Sequence, residues 1–306
     1  MSNKRFAVIG CGRLGSLHAK IYSGHRQNLV FAWLCDIQPD KAKALSEELN
    51  CAYTSDYRSL LGLVDAVSIA APTLLHYQIA RDFLNNGADV LIEKPIAKTV
   101  KEADSLIKLA RSHKRIIQVG HVERFNSAFQ AIKDKIKRPR FIECHRLSPF
   151  PGRSLDIGVV EDVMIHDIDI ILGLLQSKIK RIDATGINVL TDQEDIASAR
   201  LTFTDGCVCN LTASRISDET MRKIRIFLEN TYISLDYVAQ EAFIYKKAGG
   251  QITKELLPIE KEQPLQKEIA HFIDCVYSRK EPLVSGIDGR NALALALKIK
   301  SKIWKR

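Results

Sequence analysis

The stretch "RFAVIGCGRLGSLHAKIYS", Arg5 to Ser23, decides how this chain folds. Arg5 to Ile9 reads as a short apolar β-run, Gly10-Cys11-Gly12-Arg13-Leu14-Gly15 breaks it, and a helical pattern follows to about Ser23. Glycines in such a turn let the backbone approach a pyrophosphate, whose charge is then held by the helix N-terminus. A bare G-x-G-x-x-G marks many ordinary turns. Here it follows a strand and opens a helix, and the next apolar run, "LVFAWLCD" (Leu29 to Asp36), ends in an acid at the distance expected for a dinucleotide site. Asp36 would accept hydrogen bonds from both adenosine ribose hydroxyls and would repel a 2′-phosphate. Ile37 and Gln38 supply no cation to offset that repulsion, so the reading favours NAD over NADP.

Working outward, "DAVSIAAP" (Asp65 to Pro72) and "ADVLIEKP" (Ala88 to Pro95) are further continuous apolar runs, with an amphipathic helix from Leu75 to Asn85 between them. A helix from Val100 to Ser112 precedes the strand "RIIQVGH", Arg115 to His121. Strands covered on both faces and alternating with helices predict an α/β chain whose N-terminal part is a doubly wound parallel sheet. After about Lys137 strand-like segments follow one another: Phe141–Leu147, Ile179–Asn188, Ala197–Thr204, Cys207–Ala213, Met221–Glu229 and Tyr232–Asp236. Turn signals at Asp205-Gly206 and Glu229-Asn230 predict hairpins of a mainly antiparallel sheet. Helices are expected over 160–175, 264–279 and 287–304. The expected division is a Rossmann domain over 1–122 and a substrate-binding α/β domain over 123–306, with the last helix able to pack back on the first.

The composition is that of a globular protein: 306 residues, 46% hydrophobic and 26% charged. The N-terminal apolar run is too short for a signal peptide, and no run approaches the roughly 18 apolar residues of a membrane span. Seven cysteines with no C-x-x-C pair read as reduced thiols in a cytoplasmic protein, with no metal site and no disulfide framework. The net charge of +9 is spread along the chain. An anionic small molecule explains it at least as well as nucleic acid, which is not expected as a partner.

Two further motifs carry chemistry. Glu93-Lys94-Pro95 ends the run Val90–Ile92, at the edge where open α/β sheets bind ligands. A lysine there can exchange protons with a substrate hydroxyl; a surface lysine that happens to precede a proline is the bland alternative. "EDVMIHDID", Glu161 to Asp169, places five ionisable residues in an otherwise apolar segment. Helical spacing sets Asp162 and His166 on one face with Asp169 a turn further on. Alone, this stripe also fits a helix cap with a hydrogen-bonded core histidine.

Taken in order, the glycine turn with its strand-ending acid, "AAPTLLH" (Ala70 to His76), "EKP", "VGHVERFN" (Val119 to Asn126) and "EDVMIHDID" resemble the Gfo/Idh/MocA family of nicotinamide-dependent sugar oxidoreductases over essentially the whole chain. The resemblance implies a Rossmann domain followed by an α/β domain on an open, mainly antiparallel sheet. It matches the family's Glu-Lys-Pro to Glu93, Lys94 and Pro95, and its Asp-x-x-x-His to Asp162 and His166. It further implies that Ala71, Pro72, Thr73 and His76 flank the ribose and nicotinamide side of NAD, with Glu93 and Lys94 at the nicotinamide ribose. Val159, Val160 and Met164 replace glycines of many members and are expected to narrow the pocket entrance. "GHVERFN", "MIHDIDI" and "LTASRISDETMRKIRIF" (Leu211 to Phe227) resemble the UDP-N-acetylglucosamine 3-dehydrogenase-like subgroup. Its members oxidise the 3-hydroxyl of a UDP-linked N-acetylhexosamine to a ketone, which a partner aminotransferase aminates on the way to a diamino sugar of lipid A.

The expected substrate contacts are Arg124, Asn126, Asp162, His166 and Arg215, with Arg222 and Lys223 as further cations for a diphosphate. His166 is favoured as the base and Lys94 as the group stabilising the developing alkoxide, the reverse assignment remaining open, while Asp162 orients the imidazole or the sugar. A homodimer or homotetramer through the open sheet face is implied by the resemblance. The alternatives are an enzyme of the same scaffold acting on a free polyol or other small substrate, and an inactive dinucleotide-binding regulator.

Overall fold

A computed structural model describes residues 3–25, 29–150, 152, 157–248 and 250–304. The first sheet is built from β1 (Arg5–Ile9), β2 (Val30–Cys35), β3 (Ala52–Thr54), β4 (Ala66–Ile69), β5 (Asp89–Glu93) and β6 (Ile117–Gly120). Helices α1 (Arg13–Gly24), α2 (Pro39–Leu49), α3 (Thr73–Asn85) and α4 (Val100–Ser112) connect them. The order is β3-β2-β1-β4-β5-β6, and every pairing is parallel. The strand order reverses between β1 and β4, so the turns leaving those strands flank the point where doubly wound sheets take their ligands. β4 and β5 are buried at every position, the reason their sequences read as unbroken apolar runs.

The second sheet contains eight strands among the described residues. Helix α5 (Ser127–Ile132) precedes β7 (Phe141–Leu147), and a π-helical turn (Val160–Met164) leads into α6 (Ile165–Leu174). Then come β8 (Ile179–Ile187), β9 (Ile196–Phe203), β10 (Val208–Ser214), β11 (Met221–Leu228), β12 (Thr231–Asp236), β13 (Glu241–Ala248) and β14 (Gln251–Leu256). The order is β14-β13-β12-β11-β7-β10-β9-β8; β7 and β10 run parallel and the other pairs are antiparallel. The expected hairpins are present, turning at Gly206 (φ +90°) and Asn230 (φ +58°). One face packs Ile142, Cys144, Ile224 and Ile226 against Met164, Ile165 and Ile168. The other carries a half-buried aromatic row in which Phe227 stacks on Tyr232 and Tyr232 on Tyr245, at 4.7 and 4.9 Å.

Two helices close the chain: α7 (Pro264–Ser278) and α8 (Gly286–Ile303). The chain forms two compact units, Met1–His121 with Leu265–Arg290, and Val122–Pro264 with Asn291–Arg306. The segment 265–290, which a division at residue 122 leaves in the second domain, thus belongs to the first unit. Ile269, Phe272, Ile273 and Val276 of α7 complete the apolar cluster around Phe6, Tyr22 and Leu34. It is therefore the penultimate helix that packs there, while the unit boundary falls within α8. Among the described residues, no helix is long and apolar enough to cross a membrane.

Candidate active site

In the first unit the glycine turn has the geometry a dinucleotide requires. Gly10 lies at φ +95°, and a Cβ there would meet the Ala70 carbonyl oxygen at 2.6 Å. A Cβ on Gly15 would collide with the Gly10 carbonyl, which lets α1 start directly against the strand end. Nothing lies within 4 Å of the corresponding point on Gly12, which is the α1 N-cap, and no side chain caps that helix. This is the cradle that a pyrophosphate fills in dinucleotide-binding turns. Asp36 is half-buried; its Oδ2 accepts from the Cys11 backbone N–H at 2.7 Å and its Oδ1 from that of Gln38 at 2.8 Å. Both bonds come from backbone, so the carboxylate is fixed before any ribose arrives. The Cys11 thiol is pushed up to about 12 by burial and by the Asp36 charge, which makes it an inert wall of the turn.

Because Asp36 is the group that would pair with the ribose diol, Asp36→Ala is expected to weaken NAD binding about 10- to 100-fold, the range for lost hydrogen bonds to a charged group. Calorimetric titration with NAD and NADP should show the NAD advantage shrink. An unchanged NAD affinity would remove Asp36 from the site.

Lys94 is half-exposed at the carboxyl end of β5, while Glu93 and Pro95 are buried. The Lys94–Pro95 peptide is cis. Of the residues expected beside the ribose, Ala71 and Thr73 are half-exposed and Pro72 is exposed, at the start of α3. His76 differs from the expectation. It is 1% exposed, and its Nδ1 and Nε2 lie 2.8 Å from the carbonyls of Pro95 and Ala71 respectively. Burial pulls its pKa below the ordinary histidine value, against the effect of those carbonyls. His76 braces the loops after β4 and β5 to one another, with its ring turned into the protein.

In the second unit the ionisable stripe resolves into two sets. Glu161, Asp167 and Asp169 are buried, and each meets a cation: Glu161 pairs with Lys300, Asp167 with Arg146 at 2.8 Å, and Asp169 with Arg124 at 2.6 Å. Asp162 and His166 are the half-exposed members. Simple helical spacing, which put Asp169 in line with them, is interrupted by the π-turn, a feature often found at functional sites. The turn is held by Glu194. Its backbone carbonyl accepts from Val159 N–H at 2.8 Å, its Oε1 from Val160 N–H at 3.3 Å, and its Oε2 from Trp304 Nε1 at 3.2 Å. A Cβ on Gly158 would occupy the Glu194 carboxylate. Nothing in "DQEDIA" announces this role for Glu194.

Three expected substrate contacts have structural employment instead. Arg215 is fully buried, bonded to Asp195 at 2.9 Å, to Thr191 Oγ1 at 2.8 Å and to the Ile157 carbonyl at 2.8 Å. Arg124 grips Asp169 through two nitrogens. Asn126 is 2% exposed, caps α5 at Ala128 N–H, and donates to Glu123 and to the Tyr237 carbonyl. Lys223 pairs with Asp236 at 3.3 Å. Arg222 alone of these five residues is exposed, and strand alternation puts it on the helix-covered face with Ile224, opposite Arg146 of β7. Val159, Val160 and Met164 are fully buried in the core, so their bulk fills the interior beneath the turn and does not narrow an entrance.

A doubly wound sheet with this turn, a strand-ending acid and a lysine at the carboxyl edge defines a dinucleotide-dependent oxidoreductase. The chain belongs to the Gfo/Idh/MocA oxidoreductase family: "Oxidoreductase family, NAD-binding Rossmann fold" matches residues 4–121, and "GFO/IDH/MocA C-terminal domain" matches residues 129–234. It is 35% identical to UDP-N-acetylglucosamine 3-dehydrogenase of Acidithiobacillus ferrooxidans, over 98% of this chain and 97% of that one. The solved structure of the Acidithiobacillus enzyme superposes with a TM-score of 0.93 at 34% identity, covering 99% of this chain and 98% of the other. Myo-inositol 2-dehydrogenase of Thermotoga maritima is 25% identical over 99% of this chain and 97% of its own length. The protein is thus an NAD-dependent oxidoreductase of the CH–OH type.

Proposed function

We propose that this protein oxidises the 3-hydroxyl of a UDP-linked N-acetylhexosamine to the 3-keto sugar. The observation that carries the reading is the end-to-end similarity, at 35% identity, to an enzyme named for that reaction. The lower identity to an inositol dehydrogenase favours a free polyol as the second reading.

NAD, held along Gly10 to Gly15 and by Asp36, supplies the hydride acceptor when bound. The chain's own residues do the rest. The roles that the family resemblance implies are His166 as the base that takes the proton of the substrate's secondary hydroxyl and Lys94 as the cation that stabilises the developing alkoxide, while Asp162, which lies within the π-turn, orients the imidazole or the sugar. Arg222 replaces Arg124 and Arg215 as the candidate cation for the diphosphate. The stacked aromatics Phe227, Tyr232 and Tyr245 support a homo-oligomer formed through the open sheet face, and seven free thiols support a cytoplasmic setting. A ketone at C3 is the substrate an aminotransferase needs, consistent with a place in diamino-sugar synthesis for lipid A.

The test is NADH absorbance with NAD, a carbonyl trap, and a panel of UDP-hexosamines beside free hexosamines and inositols. Turnover confined to UDP-N-acetylhexosamines is expected, with Arg222→Ala raising KM about 10-fold or more and leaving NAD affinity unchanged. Turnover of inositols without any UDP-sugar activity would replace the proposal by the polyol reading.

A further inference from the structure

Three ionisable side chains meet inside the first unit, behind the strand end that carries Lys94. They are His18 of α1, Glu93 of β5 and Glu268 of α7, with one ligand-type atom from each lying within 4.8 Å of the others. His18 and Glu268 are fully buried and Glu93 is 7% exposed. His18 Nε2 lies 3.2 Å from Glu93 Oε1. Among the described residues, neither carboxyl oxygen of Glu268 receives a hydrogen bond from an N–H or hydroxyl donor. The nearby Gln118 spends its Nε2–H on the Glu268 backbone carbonyl, at 2.9 Å. Glu93 Oε2 in turn accepts the backbone N–H of Lys94 at 3.3 Å. A Cβ on Gly120 would stand 2.8 Å from the Glu93 carboxyl, so β6 is shaped to leave Glu93 its place.

Two carboxylates this close and this dry cannot both be charged without a counter-ion. A single proton resolves the conflict, because a protonated carboxyl is a donor and its neighbour an acceptor. We propose that Glu268 is held as a neutral carboxylic acid that hydrogen-bonds to Glu93, and that this closed cluster, with His18 against Oε1, positions Lys94 through the Glu93 side chain. The positioning half rests on the reading of Lys94 as a reacting group. Burial first, and the Glu93 charge second, hold the Glu268 carboxyl well above the ordinary glutamate range. The groups facing it are Tyr22 and His18 from α1, Glu93 from β5 and the neutral Gln118 from β6. Glu268 is a positioning residue: glutamine, which keeps a donor, should replace it, and leucine should not.

The experiment compares the full-length wild type with Glu268→Gln and Glu268→Leu. An infrared carbonyl band of a protonated carboxyl is expected in the wild type near neutral pH and absent from both variants. The folded wild type keeps a proton that the unfolded chain releases above about pH 4.5, so wild-type stability falls relative to Glu268→Gln as pH rises. The melting temperature of the wild type should therefore fall relative to that of Glu268→Gln from about pH 5 to about pH 8. The Lys94 amide shift, read by NMR without substrate, should move in the leucine variant and hold in the glutamine variant. Turnover should fall about 10- to 100-fold in the leucine variant, stay within about threefold of wild type in the glutamine variant, and NADH affinity should hold in both. A carboxyl band that survives both substitutions overturns the proposal. So does a stoichiometric divalent metal in the purified wild type that is lost with Glu268→Gln. If the band and the Lys94 shift behave as expected while no sugar or polyol is oxidised, the proposed function fails and the carboxyl pair stands.

Discussion

Lys94→Ala and His166→Ala are each expected to lower turnover by about 100- to 10,000-fold, the range that positioned proton transfer contributes, while NADH affinity measured by fluorescence titration should change by less than about threefold. The split follows from where the residues sit. The pyrophosphate cradle and the ribose acceptor belong to the turn after β1 and to Asp36, which neither substitution touches. Lys94 lies at the end of β5, half-exposed beside buried neighbours, and His166 is half-exposed at the start of α6. Neither position anchors the core, so both variants should fold. Lys94→Arg keeps a cation and loses the compact ammonium, and it separates the two roles: substantial retained activity assigns Lys94 to charge stabilisation, whereas activity as low as alanine's assigns it proton transfer. A near-wild-type rate in either alanine variant would strike that residue from the mechanism.

How much of this could be read beforehand depends on whether a residue's role is local. The glycine turn and the strands β1, β2, β4, β5 and β6 were legible because burial on both faces leaves continuous apolar runs. The hairpins were legible because Asp205-Gly206 and Glu229-Asn230 are local turn signals. Helix α2 and strand β3 are poorly legible: α2 has only a short apolar face, five of its 11 residues being charged, and β3 is three residues long. β13 and β14 are likewise not legible, β14 because all six of its residues are exposed and its alternation is flat. For the proposed site, residue type and spacing single out Lys94, Asp162 and His166 as candidates. Type could not separate a cation aimed at substrate from one neutralising a buried acid, because the partners of Arg124 and Arg215 lie 45 and 20 residues away in sequence. Glu268 was invisible for the same reason, its neighbours coming from α1 and β5.

Arg146→Met is expected to destabilise the second unit by about 3–5 kcal/mol, the range for removing one partner of a buried ion pair. Arg146 is 4% exposed. It bonds Glu123 Oε1 at 2.7 Å and both Asp167 oxygens at 2.8 and 3.1 Å, and its guanidinium lies 5.2 Å from the centroid of the Tyr237 ring. The acids it serves come from the turn at 122–125 and from α6, so its loss strands two buried carboxylates at once. At roughly 2–4 °C per kcal/mol for a unit of this size, differential scanning fluorimetry should show a fall of roughly 6–20 °C. Arg146→Met combined with Glu123→Gln and Asp167→Leu should recover most of the loss, because it is the unpaired charge that destabilises and not the missing bonds. Asp167 is also the residue after His166. The single variant should therefore lose turnover well below its melting transition, and the triple variant should regain part of it as α6 settles. A single variant that melts within about 2 °C of wild type would mean that water reaches the two acids, and the network would then carry no weight in holding His166.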